Sequence, residues 1–390
     1  MSSEQGWIKE NEPWLLPFLY LFGRIILFLT LIPYGYYGIG DLNAYREWTA
    51  LPGWPYLDYW VEYPPLFPFL SEILFRMAGE QSFLYDFLVA LVLAFAGSVI
   101  LYLFQKITSR LYGDSAGQIR SLILFGIMVV LPYTWWYADV ITLALMMAGI
   151  WSLLEKKDKL AGLWIGLGML AKWFPVFLLP ALFRYRPLKN LLFISGIAIT
   201  IVSIVFGILF VVSPQMTRAS LLTQTGRASW QTVWALIDRN LTTGAYLTTE
   251  QRLDPSQYLQ ITGNPAVIPP SLTLFVFGGI GVGLLLKRNR FDDLSLVAAI
   301  GITWSLFLLW SPGWSSQWVL YVIPLVLLTL SLPYALSWIL GFVLINILEF
   351  PFLLGRGLAD HIWIVIILRV FLIVIIQIVW AKEIIFSNYK

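Results

Sequence analysis

Apolar stretches long enough to cross or enter a membrane recur twelve times in this 390-residue chain, at 14–36, 84–106, 118–133, 138–154, 160–171, 173–183, 190–212, 268–287, 293–311, 317–331, 334–354 and 361–381. A spanning helix needs roughly 20 apolar residues, and fewer where it is half of a hairpin held among other helices. No soluble architecture accommodates such a series. Composition agrees: charged residues make up 12% of the chain, about half of what a soluble domain carries, and mean hydropathy is +0.78. The fold class expected is therefore all-α, a polytopic helical membrane bundle forming a single domain over residues 1–390. Four short segments between 118 and 183 fall into two pairs, which predicts two hairpins within it.

Orientation follows from the basic residues in the loops. With the N-terminus cytoplasmic, fifteen of the 25 Lys and Arg lie on the inside, seven lie outside, and Arg24, Lys172 and Arg369 fall within spans. This places both termini in the cytoplasm and puts two long loops, 37–83 and 213–267, on the outer face of a plasma membrane. The inner turns are short and basic, so function is expected outside. The first loop is dense in Tyr, Trp and Pro, and its apolar stretch 64–78 predicts a helix lying along the interface.

The chain has no Cys and one His, His361. Disulfides, thiolate chemistry and His-rich metal sites are excluded, and no cofactor or metal cluster is expected. Neither G-x-x-x-x-G-K-[ST] nor G-x-G-x-x-G occurs, so nucleotide-driven transport has no basis. Chemistry must use carboxylates, Lys, Arg or hydroxyls.

Among the carboxylates, Asp41 directly follows the first span in Gly40-Asp41-Leu42-Asn43-Ala44-Tyr45. A turn or capping Asp is the plain alternative, but the loop continues Tyr56-Leu57-Asp58-Tyr59-Trp60-Val61-Glu62-Tyr63. That run is too aromatic for a flexible solvent loop, and aromatic platforms stack on sugar rings. Lys172 stands at the tip of the second hairpin, where an ammonium either snorkels or holds a phosphate as a point charge. Asp139, at the outer turn of the other hairpin, is either its partner or a helix N-cap. Arg218, Arg227 and Arg239 in the second loop read as a solvated rim or an anion-binding set. Asn240-Leu241-Thr242 has the form of a glycosylation acceptor. Arg24 and Glu349 lie inside spans with no partner that spacing can name.

Three blocks together resemble the GT-C class of integral-membrane glycosyltransferases, most closely the polyprenyl-phosphate-mannose-dependent mannosyltransferases. The first is Asp41 and Tyr45, then Gly53-Trp54-Pro55-Tyr56 and Glu62-Tyr63-Pro64-Pro65-Leu66. The second runs Ala161-Gly162-Leu163-Trp164-Ile165-Gly166-Leu167-Gly168 into Lys172-Trp173-Phe174-Pro175. The third is Ser311-Pro312-Gly313-Trp314-Ser315-Ser316-Gln317-Trp318, ahead of Tyr321 and Pro324. The resemblance implies inverting transfer of a sugar, mannose by analogy, from a polyprenyl-phosphate donor to a glycan or lipid-linked acceptor, with Asp41 as base. The chemistry of such a transfer sets Lys172 toward the departing phosphate, with Arg218 and Arg227 expected beside it and Tyr45, Asp58, Glu62, Tyr63, Asp139, Trp314 and Gln317 expected toward sugar or acceptor. The rival class is a transporter or flippase of lipid-linked saccharides, which needs a site reachable from both sides. The outward bias of long loops, acids and aromatics weighs against it.

Overall fold

The computed structural model describes residues 3–31, 40–79, 81–223, 227–241, 248–259, 263–286 and 292–386. Among these residues sixteen α-helices run in order: α1 Ser3–Thr30, α2 Leu42–Thr49, α3 Leu66–Met77, α4 Ser82–Tyr112, α5 Asp114–Val130, α6 Asp139–Leu154, α7 Asp158–Ala171, α8 Leu178–Tyr185, α9 Leu188–Val212, α10 Pro214–Leu222, α11 Val233–Asp238, α12 Pro270–Leu285, α13 Asp293–Trp310, α14 Val319–Thr329, α15 Leu332–Ile347 and α16 Ile362–Phe386. No β-strand occurs among the described residues.

Each apolar segment of the sequence coincides with a helix of the bundle, although the last residues of the first, beyond Leu31, lie outside the described ones. Six helices are long and apolar enough to cross a membrane, while α6, α12 and the stretches Phe174–Tyr185 and Ser316–Thr329 are shorter. The two hairpins are α5 with α6 and α7 with α8. The amphipathic stretch of the first loop is α3, which buries Phe67, Pro68 and Leu74. Apolar lipid gives helices no hydrophobic drive to associate, so close packing relies on small residues. Gly162 and Gly166 of α7 lie directly against α9, where a Cβ at Gly162 would stand 2.8 Å from the Ile194 carbonyl.

At one end of the bundle, arginines bind helix C-termini, whose last carbonyls lack intrahelical partners. Arg184 donates to Leu284 of α12 at 3.0 Å and to Ile384 of α16 at 2.7 Å. Arg120 donates to the Leu330 carbonyl at 2.9 Å, just past α14, and Arg186 reaches Leu153 of α6. Arg110 joins Glu155 at 2.6 Å and Asp293 at 2.5 Å, linking α4, the α6–α7 turn and α13.

Two charges left open by the sequence face the interior. Arg24 lies over the Trp135 ring at 3.1 Å and donates to the Thr134 carbonyl at 2.8 Å. Glu349 sits just past the end of α15, before a break at Phe350, whose φ of −144° and ψ of 124° are extended rather than helical, and it pairs with Arg369 of α16. Pro351 has no amide hydrogen for the helical ladder and pushes the residue before it toward extended backbone, so the helix breaks there.

Candidate active site

The opposite end, where the long loops gather, encloses a cavity of about 600 Å³, within the ordinary range for a ligand pocket, roughly 300–1,000 Å³. Its walls come from the start of the first loop, the Glu62–Pro64 strap, the α7–α8 turn, residues 227–231 of the second loop and the α13–α14 turn.

Asp41 is positioned by its backbone. Gly40 has φ +137° and lies so close to Trp136 that a Cβ there would come within 2.6 Å of the Trp136 Cβ. Glycine alone permits both the conformation and the approach. The Asp41 amide then donates to the Trp136 carbonyl at 3.3 Å, binding the loop to the α5–α6 turn. Asp41 occupies the N-cap position of α2, yet its carboxylate caps nothing. It accepts a 2.8 Å hydrogen bond from the Tyr63 hydroxyl and opens on the cavity. Burial pushes its carboxyl from 3.8 up to about 6, the Tyr63 bond pulling down and the Asp139 charge pushing further up.

The other loop acids are engaged. Asp58 is exposed, outside the cavity, and accepts from the Trp54 amide at 2.7 Å, so it plays the turn role that Asp41 does not. Glu62 lines the cavity, but Arg252 grips both its oxygens at 2.5 and 3.2 Å. Burial pushes the Glu62 carboxyl up, and the Arg252 guanidinium outweighs it, leaving it below the usual range.

Lys172 follows the last residue of α7 at the hairpin tip and is not a lone cation: its Nζ donates to Asp139 Oδ1 at 2.7 Å. Asp139, the first residue of α6, caps no amide and instead also accepts from the Tyr321 hydroxyl at 2.9 Å. The rings of Phe174, Trp318 and Tyr63 stand 4.9, 5.8 and 5.9 Å from the ammonium. An ammonium has three donors, so Lys172 can bind Asp139 and still present charge to the cavity it lines. Below it, Phe174 meets Trp304, Trp318 and Tyr321 edge-on at 4.8–5.1 Å, an apolar floor.

Arg227 lines the far wall, its guanidinium 3.9 Å above the Trp230 ring. Trp230 is held by two strand-like bonds to the α13–α14 turn: its amide donates to the Pro312 carbonyl at 3.1 Å, and the Trp314 amide donates to the Trp230 carbonyl at 3.0 Å. Gly313 lies under the indole, where a Cβ would come within 2.2 Å of the ring.

Thus Asp41, Glu62, Tyr63, Lys172, Arg227 and Gln317 are brought together. Arg218 is exposed on α10 and does not reach the cavity, because its helix turns that face away. Tyr45 is fully buried, its hydroxyl accepting from the Ala138 amide, and Trp314 is buried behind the wall under Arg369 at 4.4 Å. Asp139 lies behind Lys172 rather than on the surface. Asn240 is buried and its side-chain nitrogen donates to Ser229 and Asn264, leaving no accessible glycan acceptor; Thr242 lies outside the described residues. Spacing gave no hint of Arg252, 190 positions from Glu62, nor of Gln231, a loop residue marked only by the adjacent Trp230. No cluster of His, Cys, Asp or Glu suited to a metal ion occurs among the described residues.

The apolar helices, with a lined cavity at one end, define a multi-pass membrane protein with a ligand pocket. The model of Glycosyltransferase family 87 matches residues 60–312, and the chain belongs to that family. Asp41 and the third block from Gly313 onward, Trp314 and Gln317 included, lie outside the matched residues. No curated protein matches the chain. Among solved structures, the oligosaccharyltransferase of Archaeoglobus fulgidus, crystallised with a tethered acceptor peptide, is similar over 97% of this chain and 56% of that one, with 13% identity and a TM-score of 0.43. The chain thus spans little more than half of that protein's length, and at that TM-score the likeness carries no weight for function.

Proposed function

We propose that this glycosyltransferase, acting as one membrane-embedded catalytic body, moves a hexose, mannose by family resemblance, from a polyprenyl-phosphate donor to an acceptor hydroxyl at the outer face of the plasma membrane. Asp41 takes the hydroxyl proton as the acceptor oxygen attacks the anomeric carbon. The bond from that carbon to the phosphate oxygen breaks on the opposite side, inverting the centre, and its electron pair leaves with the polyprenyl phosphate. Lys172 and Arg227 meet the charge that develops there.

The observation carrying this reading is the division of labour among acids. Of the carboxylates that line the cavity among the described residues, Glu62 is neutralised by Arg252, whereas Asp41, its pKa raised to about 6, accepts from the Tyr63 hydroxyl. A base works best with a pKa near the working pH. A leaving phosphate monoester needs no protonation, so cations suffice on the other side of the sugar.

Purified protein given radiolabelled polyprenyl-phosphate mannose and extracted membrane glycans should move label to a glycan. Retention of all label on the donor, with label instead moved from a nucleotide sugar, overturns the donor class. Sidedness is tested separately with single cysteines at Ser115, in the first turn of α5, and at Ser256, both exposed in a chain without native Cys. A membrane-impermeant thiol reagent on intact cells should label position 256 and spare 115. The reverse pattern places the cavity in the cytoplasm and ends the outer-face mechanism.

A further inference from the structure

Among the described residues of the cavity wall, Gln231 is the side-chain-bearing one with a left-handed backbone. Its φ is +53°, in the left-handed region that side-chain-bearing residues rarely adopt. Such strain persists only where the surroundings enforce it, and it concentrates at binding sites. The enforcement is visible: Trp230 and Thr232 on either side both bond to the Pro312 carbonyl, at 3.1 and 2.9 Å, and the Gln231 carbonyl accepts from Arg369. Arg369 is fixed in turn by buried Glu349 and by the Trp314 ring. An intramembrane ion pair thereby holds one loop residue with its side chain on the cavity.

Gln231 is only 6% exposed and Gln317, on the adjoining turn, 7%. Both line the cavity, and among the described residues neither side-chain amide has a hydrogen-bond partner in the protein. Their amide atoms are not sealed within the protein but open on the cavity, where a ligand can supply the partners that polar groups ordinarily have. They are also the only carboxamides on the described wall. A carboxamide offers both donors and an acceptor without charge, which suits sugar hydroxyls and avoids placing a carboxylate beside a phosphate.

We infer that Gln231 and Gln317 form the subsite that recognises the hydroxyls of the donor sugar. The assignment to donor rather than acceptor comes from adjacency. Arg227, the phosphate cation of the mechanism above, is four residues from Gln231 on the same wall, and its guanidinium stacks on Trp230 between them. In a sugar 1-phosphate the ring is joined directly to the phosphate, so the groups that read its hydroxyls must stand beside the cation that holds it.

This inference rests on the lipid-phosphate reading of the donor, and the test separates the two. Binding of farnesyl-phosphoryl mannose and of farnesyl phosphate is measured on detergent-purified wild type, Gln231→Asn, Gln231→Ala, Gln317→Ala and Arg227→Gln. Asn tolerates the left-handed backbone, so Gln231→Asn shortens the side chain without adding strain, and matched melting temperatures verify the fold. Each glutamine variant should weaken binding of the sugar-bearing compound by about 5- to 10-fold, the worth of one or two buried hydrogen bonds, and leave farnesyl phosphate binding within about twofold. Arg227→Gln should weaken both. Equal loss of both ligands in the glutamine variants, or loss of neither, overturns the sugar subsite while the donor class stands. A wild-type protein that binds neither compound overturns the donor class and the subsite with it.

Discussion

At the basic end of the bundle Arg120, Arg184 and Arg186 donate to main-chain carbonyls at helix C-termini, whereas at the cavity end Lys172 and Arg252 are matched to carboxylates and Arg227 lies on an indole. The carbonyls belong to the fold and never change state, so cations spent on them lock helices together. A carboxylate partner leaves an ammonium or guanidinium its remaining donors and fixes where they point. The same residue type is architectural at one end and poised for a ligand at the other, and the difference lies in what it is bonded to.

That contrast is breakable by mutation. The largest effect is expected for Lys172→Met, which strips Asp139, 1% exposed, of its cation. Removing one member of a buried pair typically costs about 3–5 kcal/mol, read as a lowered melting temperature. Adding Asp139→Asn should recover most of this while donor binding stays weak. A single variant as stable as wild type would show that Lys172 is held for the ligand alone. Next, Asp41→Asn should lower turnover by roughly 10²-fold or more with the fold intact; near-normal turnover sinks the base assignment. Arg184→Met, its counterpart at the other end, should lose about 1–3 kcal/mol of stability through two unsatisfied carbonyls, yet retain turnover within about twofold at low temperature. A large turnover loss without destabilisation would erase the distinction between the ends.

The smallest effect is in pH. With the Asp41 carboxyl at about 6, kcat/KM should hold above that pH and fall about tenfold per unit below it, as the base is protonated. Folding raises this pKa from 3.8, so the folded state binds the proton more tightly than the unfolded chain. The stabilisation from that proton is complete below pH 3.8 and disappears as pH rises through 6. Asp41→Asn should therefore gain thermal stability at pH 8 and little at pH 4. An unchanged melting profile at both values would mean that burial of Asp41 is not what lifts its pKa.

The spans and the two hairpins are legible because they follow from hydrophobic period, whereas turn positions left Asp139 open between partner of Lys172 and helix cap, and the 2.7 Å ion pair decides it. Asp41 and Asp58 were less separable: both sit in aromatic loop sequence, and only the Gly40–Trp136 contact and the Trp54 bond divide a cavity acid from a turn acid. Arg218 and Arg227 likewise look alike in sequence. The facing of α10 and the stacking on Trp230 set them apart, and both depend on contacts with distant segments. The Glu349–Arg369 pair joins neighbouring spans, but its reach to Gln231, 138 positions away, is a property of the assembled bundle.

The clamp between the two loops sets how this enzyme can be re-engineered. The Trp60 amide donates to the Arg252 carbonyl, the Trp60 indole to the Asp254 carbonyl, and the Val61 amide to Ser220, all at 3.0–3.1 Å beside the Glu62–Arg252 pair. Residues 60–62 thus take part of their backbone bonding from a segment far along the chain. A chimera that imports either loop alone strands main-chain donors and leaves Glu62 without its cation, whereas exchange of both as a matched set keeps the roof of the cavity whole. Slow amide exchange at Trp60 and Val61 should rise and fall together with that of residues 220 and 252, making the two loops one inherited module despite their separation in sequence.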